Sequence, residues 1–428
     1  MDRPARIFIS VAEDSADVHA AALMRAAQTE LPRCTFHGLT GPRMRAAGAE
    51  TVFDLTRHAA MLTGVFSVIG RAWQAVRAVE RSWDAEPPDL VVLLDSPELH
   101  LRLAKKARAR DLPVLYYIAP QTWASREGRN RQIAKTIDRL ACILPFEQEY
   151  FRNAGVNGEF VGHPLFETLV REQPDDARVA AWRADTRPII ALLPGSRRHV
   201  IDKVLPLQLD VLRQMHNGAT AAKSHPQTAS EGVRDEPIRA LSASEENATD
   251  PIRALSASEG SEPRPNLPRV LISAVDEDRA AHIRPLLAAA NIPAEIVVAD
   301  NASLLTAADL VLVASGTATL HVAHYRKPMI VMYDAGRLLN TLYHPLGRFI
   351  VKTPHFSLVN ILGNRRIVPE FMPYVPDTRE VARVARQLLA DQTWRELMIS
   401  QIDEVIRPLE DGNASVNVCR MMREMLAR

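Results

Sequence analysis

Short apolar runs alternate with longer amphipathic stretches along most of this chain. The runs are continuous rather than alternating in polarity, which is typical of strands buried on both faces of a parallel sheet. In the first half, strands are predicted at Ile7–Val11, Leu90–Asp95, Val114–Ile118, Cys142–Leu144 and Phe160–Val161. In the second half, they are predicted at Ile189–Leu193, Val270–Ala274, Ile296–Val298, Leu310–Ala314 and Met329–Met332.

Helical patterns lie between these strands. They are predicted at Ser15–Ala27, Leu99–Ala109, Val200–Met215, Arg279–Ala290 and Thr317–Tyr325. Strands that alternate with helices indicate an α/β fold, and two such sets indicate two Rossmann-like domains. Active sites of such sheets lie at the carboxyl ends of the strands. We therefore expect ligands in a cleft between the two domains.

A polar stretch that begins at Arg171 separates the two sets near residues 170–185. The predicted domains are an N-terminal Rossmann-like domain over 1–175 and a C-terminal Rossmann-like, nucleotide-binding domain over 185–400. A C-terminal helix is predicted over 401–428.

Residues 218–268 break the pattern. They are polar and rich in Ala, Ser, Glu and Pro, and the sequence of 236–245 recurs almost unchanged at 250–259. Two copies with so few apolar residues cannot supply the continuous core of a solenoid. The composition predicts a disordered insertion between a helix and a strand. A partner-docking arm is the alternative.

Composition narrows the class of protein. The chain has 52 basic and 51 acidic residues, a balance that argues against a general nucleic-acid binder. Its three cysteines, Cys34, Cys142 and Cys419, have no metal-ligand spacing and indicate a reducing compartment. There is no signal-peptide pattern, and no apolar run approaches the ~20 residues that cross a bilayer. We expect a cytoplasmic protein, attached at most to a membrane face.

Two turns carry candidate chemistry in the second half. Leu193-Pro-Gly-Ser-Arg197 and Ala314-Ser-Gly-Thr-Ala318 each follow an apolar strand and precede a helical pattern. Such turns leave backbone N–H groups free at a helix N-terminus, where an anionic group is favoured. The candidates for binding a diphosphate are Gly195, Ser196, Arg197, Ser315, Gly316 and Thr317. Ordinary strand-to-helix turns are the alternative.

Asp95 is the candidate general base. It ends an apolar strand, and Pro97 forces the chain to turn there, so its carboxylate is placed at the active end of the sheet. A helix N-cap is the alternative for Asp95.

The Asp-x-Asp at Asp276–Asp278 has the form of a metal-binding motif, but acidic residues at these positions are also typical of a first helical turn, which is the interpretation we favour. We therefore expect neither a metal nor a cofactor.

A series of short motifs in a fixed order resembles one family. The motifs are Ala12-Glu-Asp-Ser-Ala-Asp17, Gly41-Pro-Arg-Met44, Asp95-Ser-Pro97, Ala119-Pro-Gln-Thr-Trp-Ala124, Leu144-Pro-Phe-Glu147, Gly162-His-Pro-Leu165, Leu193-Pro-Gly-Ser-Arg197, Ala314-Ser-Gly-Thr-Ala318, Val351-Lys-Thr353, Asn360 and Pro369-Glu370. Their order and spacing resemble the lipid-A-disaccharide synthases, inverting glycosyltransferases with two Rossmann domains in the GT-B architecture. The resemblance covers nearly the whole chain outside 218–268.

The resemblance implies a reaction. The donor would be UDP-2,3-diacylglucosamine and the acceptor 2,3-diacylglucosamine 1-phosphate, joined by a β(1→6) bond with release of UDP. It implies a catalytic role for Asp95 and substrate or nucleotide contacts for further residues. These are Glu13, Ser15 and Asp17 in the first loop, His321 at the position that binds the ribose in GT-B enzymes, and Asn360.

Several family residues are replaced in this chain. Two glycines of the first loop are Ala12 and Ala16, and a glutamate is His321. Further replacements are Ser67, Ser125, Val200, Val359 and Pro373. Two alternatives therefore stay open: a non-catalytic or retargeted paralogue, and another GT-B enzyme such as a UDP-sugar 2-epimerase.

The run Ala59–Gly70 is apolar and is followed by arginines and tryptophans: Arg71, Trp73, Arg77, Arg81 and Trp83. An apolar tip flanked by Arg and Trp favours a membrane interface, and a core helix is the alternative. With an acylated substrate, we expect peripheral contact with the inner face of the cytoplasmic membrane. A homodimer is left open.

Overall fold

The computed structural model describes residues 3–55, 65–221, 268–334, 354–375 and 377–427, with backbone alone at 65–69 and 217–221. The described chain divides into two compact units. Unit 1 takes in the described residues of Met1–Arg171 and Arg407–Arg428, and unit 2 those of Glu172–Leu346 and Pro354–Ile406. Of the predicted insertion, only the ends at 218–221 and 268 lie within the described residues.

Unit 1 is built on a parallel sheet of seven strands in the order β3-β2-β1-β4-β5-β6-β7. The strands are β1 Ala5–Ser10, β2 Cys34–Leu39, β3 Glu50–Phe53, β4 Leu90–Leu94, β5 Val114–Tyr117, β6 Arg139–Cys142 and β7 Gly158–Phe160. The helices are α1 Asp14–Glu30, α2 Pro42–Ala46, α3 Val65–Ala85, α4 Pro97–Arg108, α5 Thr122–Ser125, α6 Asn130–Thr136, α7 Pro145–Asn153 and α8 Pro164–Leu169.

Unit 2 is built on a second parallel sheet, of six strands in the order β10-β9-β8-β11-β12-β13. The strands are β8 Ile189–Leu193, β9 Arg269–Ala274, β10 Glu295–Val298, β11 Leu310–Ala314, β12 Met329–Met332 and β13 Glu370–Phe371. The helices are α9 Asp176–Arg183, α10 Arg198–Ala221, α11 Glu277–Ala290, α12 Asn301–Ala307, α13 Ala318–His324, α14 Leu358–Gly363 and α15 Thr378–Ala390. Helix α16, Gln392–Glu410, passes from unit 2 to unit 1, where α17, Ala414–Leu426, packs on α1.

Burial confirms the α/β fold with parallel sheets. Every residue of β4, β8 and β11 is buried, because helices cover both faces of these central strands. The prediction missed β2, β3 and β13, which lie at or near sheet edges and mix polar with apolar residues. It also placed the strand at Cys142–Leu144 too late, since β6 begins at Arg139 and the chain turns into α7 after Cys142.

Each sheet has one point where the strand order reverses. In unit 1 it lies between β1 and β4, and in unit 2 between β8 and β11. The loops that leave these two adjacent strands diverge to opposite faces, which opens a crevice at their carboxyl ends. Asp95 lies at the first of these points, and the loops of Gly195 and Gly316 lie at the second.

Helix α3 bears on the predicted membrane-facing segment. Trp73 is 55% exposed, whereas Trp83 is buried and packs edge-on against Phe8. Trp83 thus belongs to the core, and its place in the predicted interface was wrong. Residues 59–64 of the apolar run lie outside the described chain. Within the part that is described, no helix has the length and apolar content required to span a membrane.

Candidate functional site

The reversal point of unit 1 brings together the two loops that the sequence singled out there. Asp95 directly follows β4, and Glu13, Ser15 and Asp17 follow β1, its neighbour in the sheet. Residues more than 75 positions apart in the sequence therefore meet at one edge of the sheet, because parallel strands align their carboxyl ends.

Asp95 has an unusual backbone. Its φ is 52°, and that of Ser96 is 44°, so two successive residues with side chains adopt the left-handed conformation. Each such residue costs roughly 1–2 kcal/mol relative to ordinary backbone. Helix α4 begins at Pro97 with Ser96 in the N-cap position. Asp95 is thus not the helix cap that the sequence allowed, and its half-buried carboxylate leaves the sheet one residue earlier.

A buried polar network holds this strained turn. The His100 Nδ1 lies 2.7 Å from the carbonyl oxygen of Asp95, and its Nε2 lies 2.8 Å from the Ser10 hydroxyl at the end of β1. The Tyr116 hydroxyl donates a hydrogen bond to the same Asp95 carbonyl. Ser10, His100 and Tyr116 are fully buried. Burial lowers the pKa of His100 to about 4, so the imidazole is neutral at physiological pH.

The first loop separates its carboxylates into two environments. Glu13 and Ser15 are exposed, whereas Asp17 is fully buried and accepts hydrogen bonds from the backbone N–H groups of Arg43 and Met44, at 2.9 and 3.0 Å. Asp17 thus fastens the start of α2 to α1. Gly41 is required beside it, since a Cβ there would lie 2.3 Å from the Asp17 carboxyl carbon.

The two alanines of this loop need no left-handed backbone. Among the described residues, those that combine a side chain with a positive φ do not include Ala12 or Ala16. Ala12, in the loop after β1, and Ala16, in the first turn of α1, are therefore accommodated without conformational strain.

A second buried carboxylate lies beside the strand ends of unit 1. Glu147, in the first turn of α7, is fully buried and accepts hydrogen bonds from the Trp123 indole N–H at 3.0 Å and from the N–H groups of Ile143 and Leu144 at 3.1 Å. Desolvation by burial raises the pKa of Glu147 to about 7, because it outweighs these three donors, which favour the charged form. Glu147 therefore fixes Trp123 of the Ala119–Ala124 motif.

The reversal point of unit 2 brings the two predicted diphosphate loops side by side. Strands β8 and β11 pair in parallel, with Leu193 opposite Val313, so both loops leave the same edge of the sheet. Each has a glycine with left-handed backbone, Gly195 at φ 109° and Gly316 at φ 123°. Ser196, Gly316 and Thr317 are exposed, so their backbone groups are accessible to a ligand.

The two glycines meet different surroundings. A Cβ on Gly195 would lie 2.8 Å from the Val200 Cγ1, whereas a Cβ on Gly316 would meet nothing within 4 Å. Gly195 is therefore required for both its conformation and its space, and Gly316 for its conformation alone.

Charged residues of α11 support the first loop. The Arg279 guanidinium donates to the carbonyl of Ser196 at 3.2 Å, and Asp278 forms ion pairs with Arg279 and with Arg198 at the start of α10. Asp276 caps α11 by accepting from the N–H of Arg279 at 2.8 Å. The Asp-x-Asp carboxylates thus have structural partners. No cluster of three or more metal-ligating side chains occurs among the described residues.

His321 of α13 faces a carboxylate that the sequence did not single out. Its Nε2 lies 3.2 Å from Glu172, and the Tyr325 hydroxyl lies 3.4 Å from the same oxygen. Burial, together with the Glu172 charge, raises the pKa of Tyr325 to about 12, so this hydroxyl is a donor. The position where the resembled family has a glutamate therefore holds a histidine beside a carboxylate from another segment.

Asn360 is fully buried in α14. Its amide oxygen accepts from the N–H groups of Ile367 and Val368 at 2.8 and 2.9 Å, and its amide nitrogen donates to the Val368 carbonyl at 2.9 Å. The Glu370 carboxylate accepts from the Ser357 N–H at 2.8 Å. Both side chains therefore order the segment that leads into β13.

Comparison with protein families gives one match across nearly the entire chain. The model of the family described as lipid-A-disaccharide synthetase matches residues 7–249 and 253–416. A lipid-A-disaccharide synthase of Myxococcus xanthus is 30% identical over 430 residues, which cover 100% of this chain and 99% of the relative. That of Anaeromyxobacter dehalogenans (strain 2CP-C) is 32% identical over 415 residues, 96% of this chain and 95% of the relative.

Solved structures share the fold at low identity. A co-structure of Staphylococcus aureus MnaA with UDP has a TM-score of 0.60 at 12% identity and covers 99% of this chain and 97% of that one. The calicheamicin glycosyltransferase CalG4 has a TM-score of 0.53 at 13% identity and covers 100% and 99%. At such identities the likeness shows the fold alone, which is the two-sheet architecture of GT-B enzymes.

Proposed function

The chain belongs to the lipid-A-disaccharide synthetase family, and we propose that it transfers 2,3-diacylglucosamine from UDP to 2,3-diacylglucosamine 1-phosphate. The product is lipid A disaccharide 1-phosphate, and UDP is released. The full-length match to the family carries this proposal. The enzyme is a glycosyltransferase of lipid A biosynthesis, and its substrates are lipid-linked sugars.

We assign the general base to Asp95. The acceptor hydroxyl must lose a proton as its oxygen attacks the anomeric carbon of the donor, and a positioned carboxylate accelerates such a step by about 10²–10⁴-fold. Asp95 lies at the reversal point of its sheet, its carboxylate is half-buried, and its backbone is fixed by two buried donors. Exposed Glu13 and Ser15, in the neighbouring loop, are assigned to acceptor contacts.

We assign the departing diphosphate to the two glycine loops of unit 2. Negative charge builds up on the UDP oxygens as the bond between the anomeric carbon and the diphosphate breaks, and preorganised N–H donors stabilise that charge. Gly195, Ser196 and Arg197 supply one loop, and Ser315, Gly316 and Thr317 the other. A Cβ on Gly316 would occupy open space, so its absence allows the phosphates to approach the backbone closely there.

We assign the ribose to the neighbourhood of His321 and Glu172. A neutral imidazole offers one acceptor nitrogen, whereas a carboxylate can accept from both hydroxyls of the diol. Glu172, held by Tyr325, restores a carboxylate near the position where His321 replaces one. We give Asp17 and Asn360 supporting roles, because their polar atoms are occupied within the protein.

We also propose peripheral contact with the inner face of the cytoplasmic membrane. Exposed Trp73, Arg77 and Arg81 follow one another at spacings of four residues, so they share one face of α3. A tryptophan beside arginines suits the headgroup region of an anionic leaflet, from which an acylated substrate would be drawn.

The decisive experiment incubates the purified protein with radiolabelled UDP-2,3-diacylglucosamine and the acceptor, in detergent and in vesicles. Labelled disaccharide and UDP are the expected products, with faster turnover on vesicles. UDP binding without disaccharide would indicate a retargeted or non-catalytic paralogue. In a parallel incubation with UDP-N-acetylglucosamine in place of the donor, conversion to the 2-epimer would indicate an epimerase.

A further inference from the structure

We propose that His100 is a positioning residue that aims the Asp95 carboxylate through the backbone of Asp95. The inference rests on the proposed role of Asp95 as the base. His100 lies five residues after Asp95, on the buried face of α4, and is 0% exposed. It therefore acts from within the core rather than by touching substrate.

The hydrogen-bonding partners fix the tautomer of His100. A carbonyl oxygen can only accept, so Nδ1, 2.7 Å from the Asp95 oxygen, must carry the proton of a neutral ring. Nε2 is then an acceptor, and the Ser10 hydroxyl, 2.8 Å away, must donate to it. The chain of donors thus runs in one direction, from Ser10 through His100 to the carbonyl of Asp95.

The carbonyl of Asp95 is held from two sides. His100 and the Tyr116 hydroxyl both donate to it, which occupies both of its lone pairs. Tyr116 is on β5, and Ser10 ends β1, so the network ties the Asp95 turn to the strands on either side of β4. The rings of His100 and Tyr116 also meet edge-on, with centroids 6.3 Å apart.

The two hydrogen bonds to the Asp95 carbonyl are needed because the turn is strained. Asp95 and Ser96 have φ values of 52° and 44°, and neither is a glycine. Without the donors, the Asp95 peptide is free to relax to an ordinary conformation, which swings the side chain attached to it. A displacement of about 1 Å at a reacting group lowers turnover by about 10²-fold.

The test uses three histidine variants. His100→Phe keeps the shape of the ring and removes both hydrogen bonds, and we expect kcat to fall about 10–100-fold with the KM for the UDP-sugar unchanged. His100→Asn places an amide N–H near the position of Nδ1, and we expect it to recover most of the turnover. His37→Phe is the matched control, because His37 is also buried in unit 1 but its ring packs on Phe8. It should change stability and leave turnover unchanged.

A double-mutant cycle separates positioning from folding. If His100 acts through Asp95, His100→Phe has no further effect on the residual turnover of Asp95→Asn, while its effect on the melting temperature persists in both backgrounds. An equal fold-loss in both backgrounds would overturn the proposal, as would unchanged turnover in His100→Phe. If Asp95→Asn itself keeps full turnover, the base assignment falls and the positioning role falls with it. Disaccharide formation by the parent protein would still establish the transferase activity in that case.

Discussion

The two units end their central strands in opposite ways. In unit 1 the left-handed turn after β4 is made by Asp95 and Ser96, residues with side chains, and buried hydrogen bonds from His100 and Tyr116 restrain it. In unit 2 the corresponding turns after β8 and β11 use Gly195 and Gly316.

The roles that we propose for the loops account for this difference. A loop that binds phosphate does so with backbone N–H groups, so a side chain at the turn is an obstruction and glycine is suitable. A loop that supplies a base must have a carboxylate at the turn itself, and glycine cannot provide one. The turn after β4 therefore tolerates strain that the turns after β8 and β11 avoid, and it requires a buried polar network to maintain that strain.

The largest expected effect comes from removing the carboxylate and keeping its shape. Asp95→Asn should lower kcat by about 10²-fold or more, the usual scale for a general base. UDP affinity should not change, because the glycine loops of unit 2 are intact. Steady-state kinetics and calorimetry with UDP measure the two quantities. Full turnover in the variant would place the base elsewhere, with Glu13 the next candidate.

The pH dependence of stability tests whether the buried carboxyl of Glu147 in unit 1 is neutral. Its pKa is raised from 4.5 to about 7 in the folded protein, so the folded state binds more protons than the unfolded state between these values. Its stability contribution is therefore complete below pH 4.5 and is lost as pH rises through 7, by on the order of 3 kcal/mol.

Glu147→Gln should abolish this part of the pH dependence. The difference in melting temperature between the parent and the variant should drift in favour of the variant as pH rises from 4.5 to 8. His100 has the opposite sign, since its lowered pKa makes stability fall as pH drops from 6.5 to 4, but it is common to both proteins. A constant difference across this range would mean that Glu147 is charged throughout.

The sheet centres were predictable because their physical cause is local. Ile189–Leu193, Leu310–Ala314 and Met329–Met332 have the bounds that the sequence predicted, since a strand covered on both faces must be continuously apolar. Strand β2, with Cys-Thr-Phe-His-Gly-Leu, has only its last four residues buried and shows no such run. Its position depends on pairing with β1, which no local pattern reveals.

The candidate site residues also divide into those that a local sequence pattern revealed and those that depend on distant partners. The turns at Gly195 and Gly316 were predictable from the sequence, because glycine at a strand end is itself the signal for a left-handed turn. His100 was not, because its partners are a backbone carbonyl and a serine 90 residues away in the sequence. A histidine on the apolar face of a helix, after a turn with Asp and Pro, was the only available hint. Glu172 lay in a polar stretch that the sequence assigned to a domain boundary.

Gly195 offers the next test, from the side of unit 2. Gly195→Ala imposes left-handed backbone on alanine and brings its Cβ within 2.8 Å of Val200. In the free variant the loop relieves this strain and clash by moving, and UDP binding must restore the original conformation. We therefore expect UDP affinity to fall about 10-fold or more, a cost of about 1.4 kcal/mol. Adding Val200→Ala should recover the steric part alone. Gly316→Ala, with open space around it, should show only the conformational part. Unchanged calorimetric affinity in Gly195→Ala would exclude this loop from the diphosphate site.

Ser96→Gly sharpens the comparison, because it places glycine in the left-handed turn after β4, as in the turns after β8 and β11. Ser96 has a φ of 44°, and its buried hydroxyl finds no hydrogen-bond partner among the described residues. Glycine relieves the strain and removes an unsatisfied polar atom, although it also increases the entropy of the unfolded chain. We expect a net gain of about 0.5–1 kcal/mol in stability, read as a rise in melting temperature.

The same change loosens the turn that positions Asp95, so kcat should fall several-fold while the KM for the UDP-sugar is retained. Ser96→Ala is the control, because it removes the same hydroxyl but keeps a Cβ in the left-handed backbone. If Ser96→Gly destabilises the protein, the left-handed turn is not a source of strain. If it raises stability and turnover together, the strain does not serve to position Asp95.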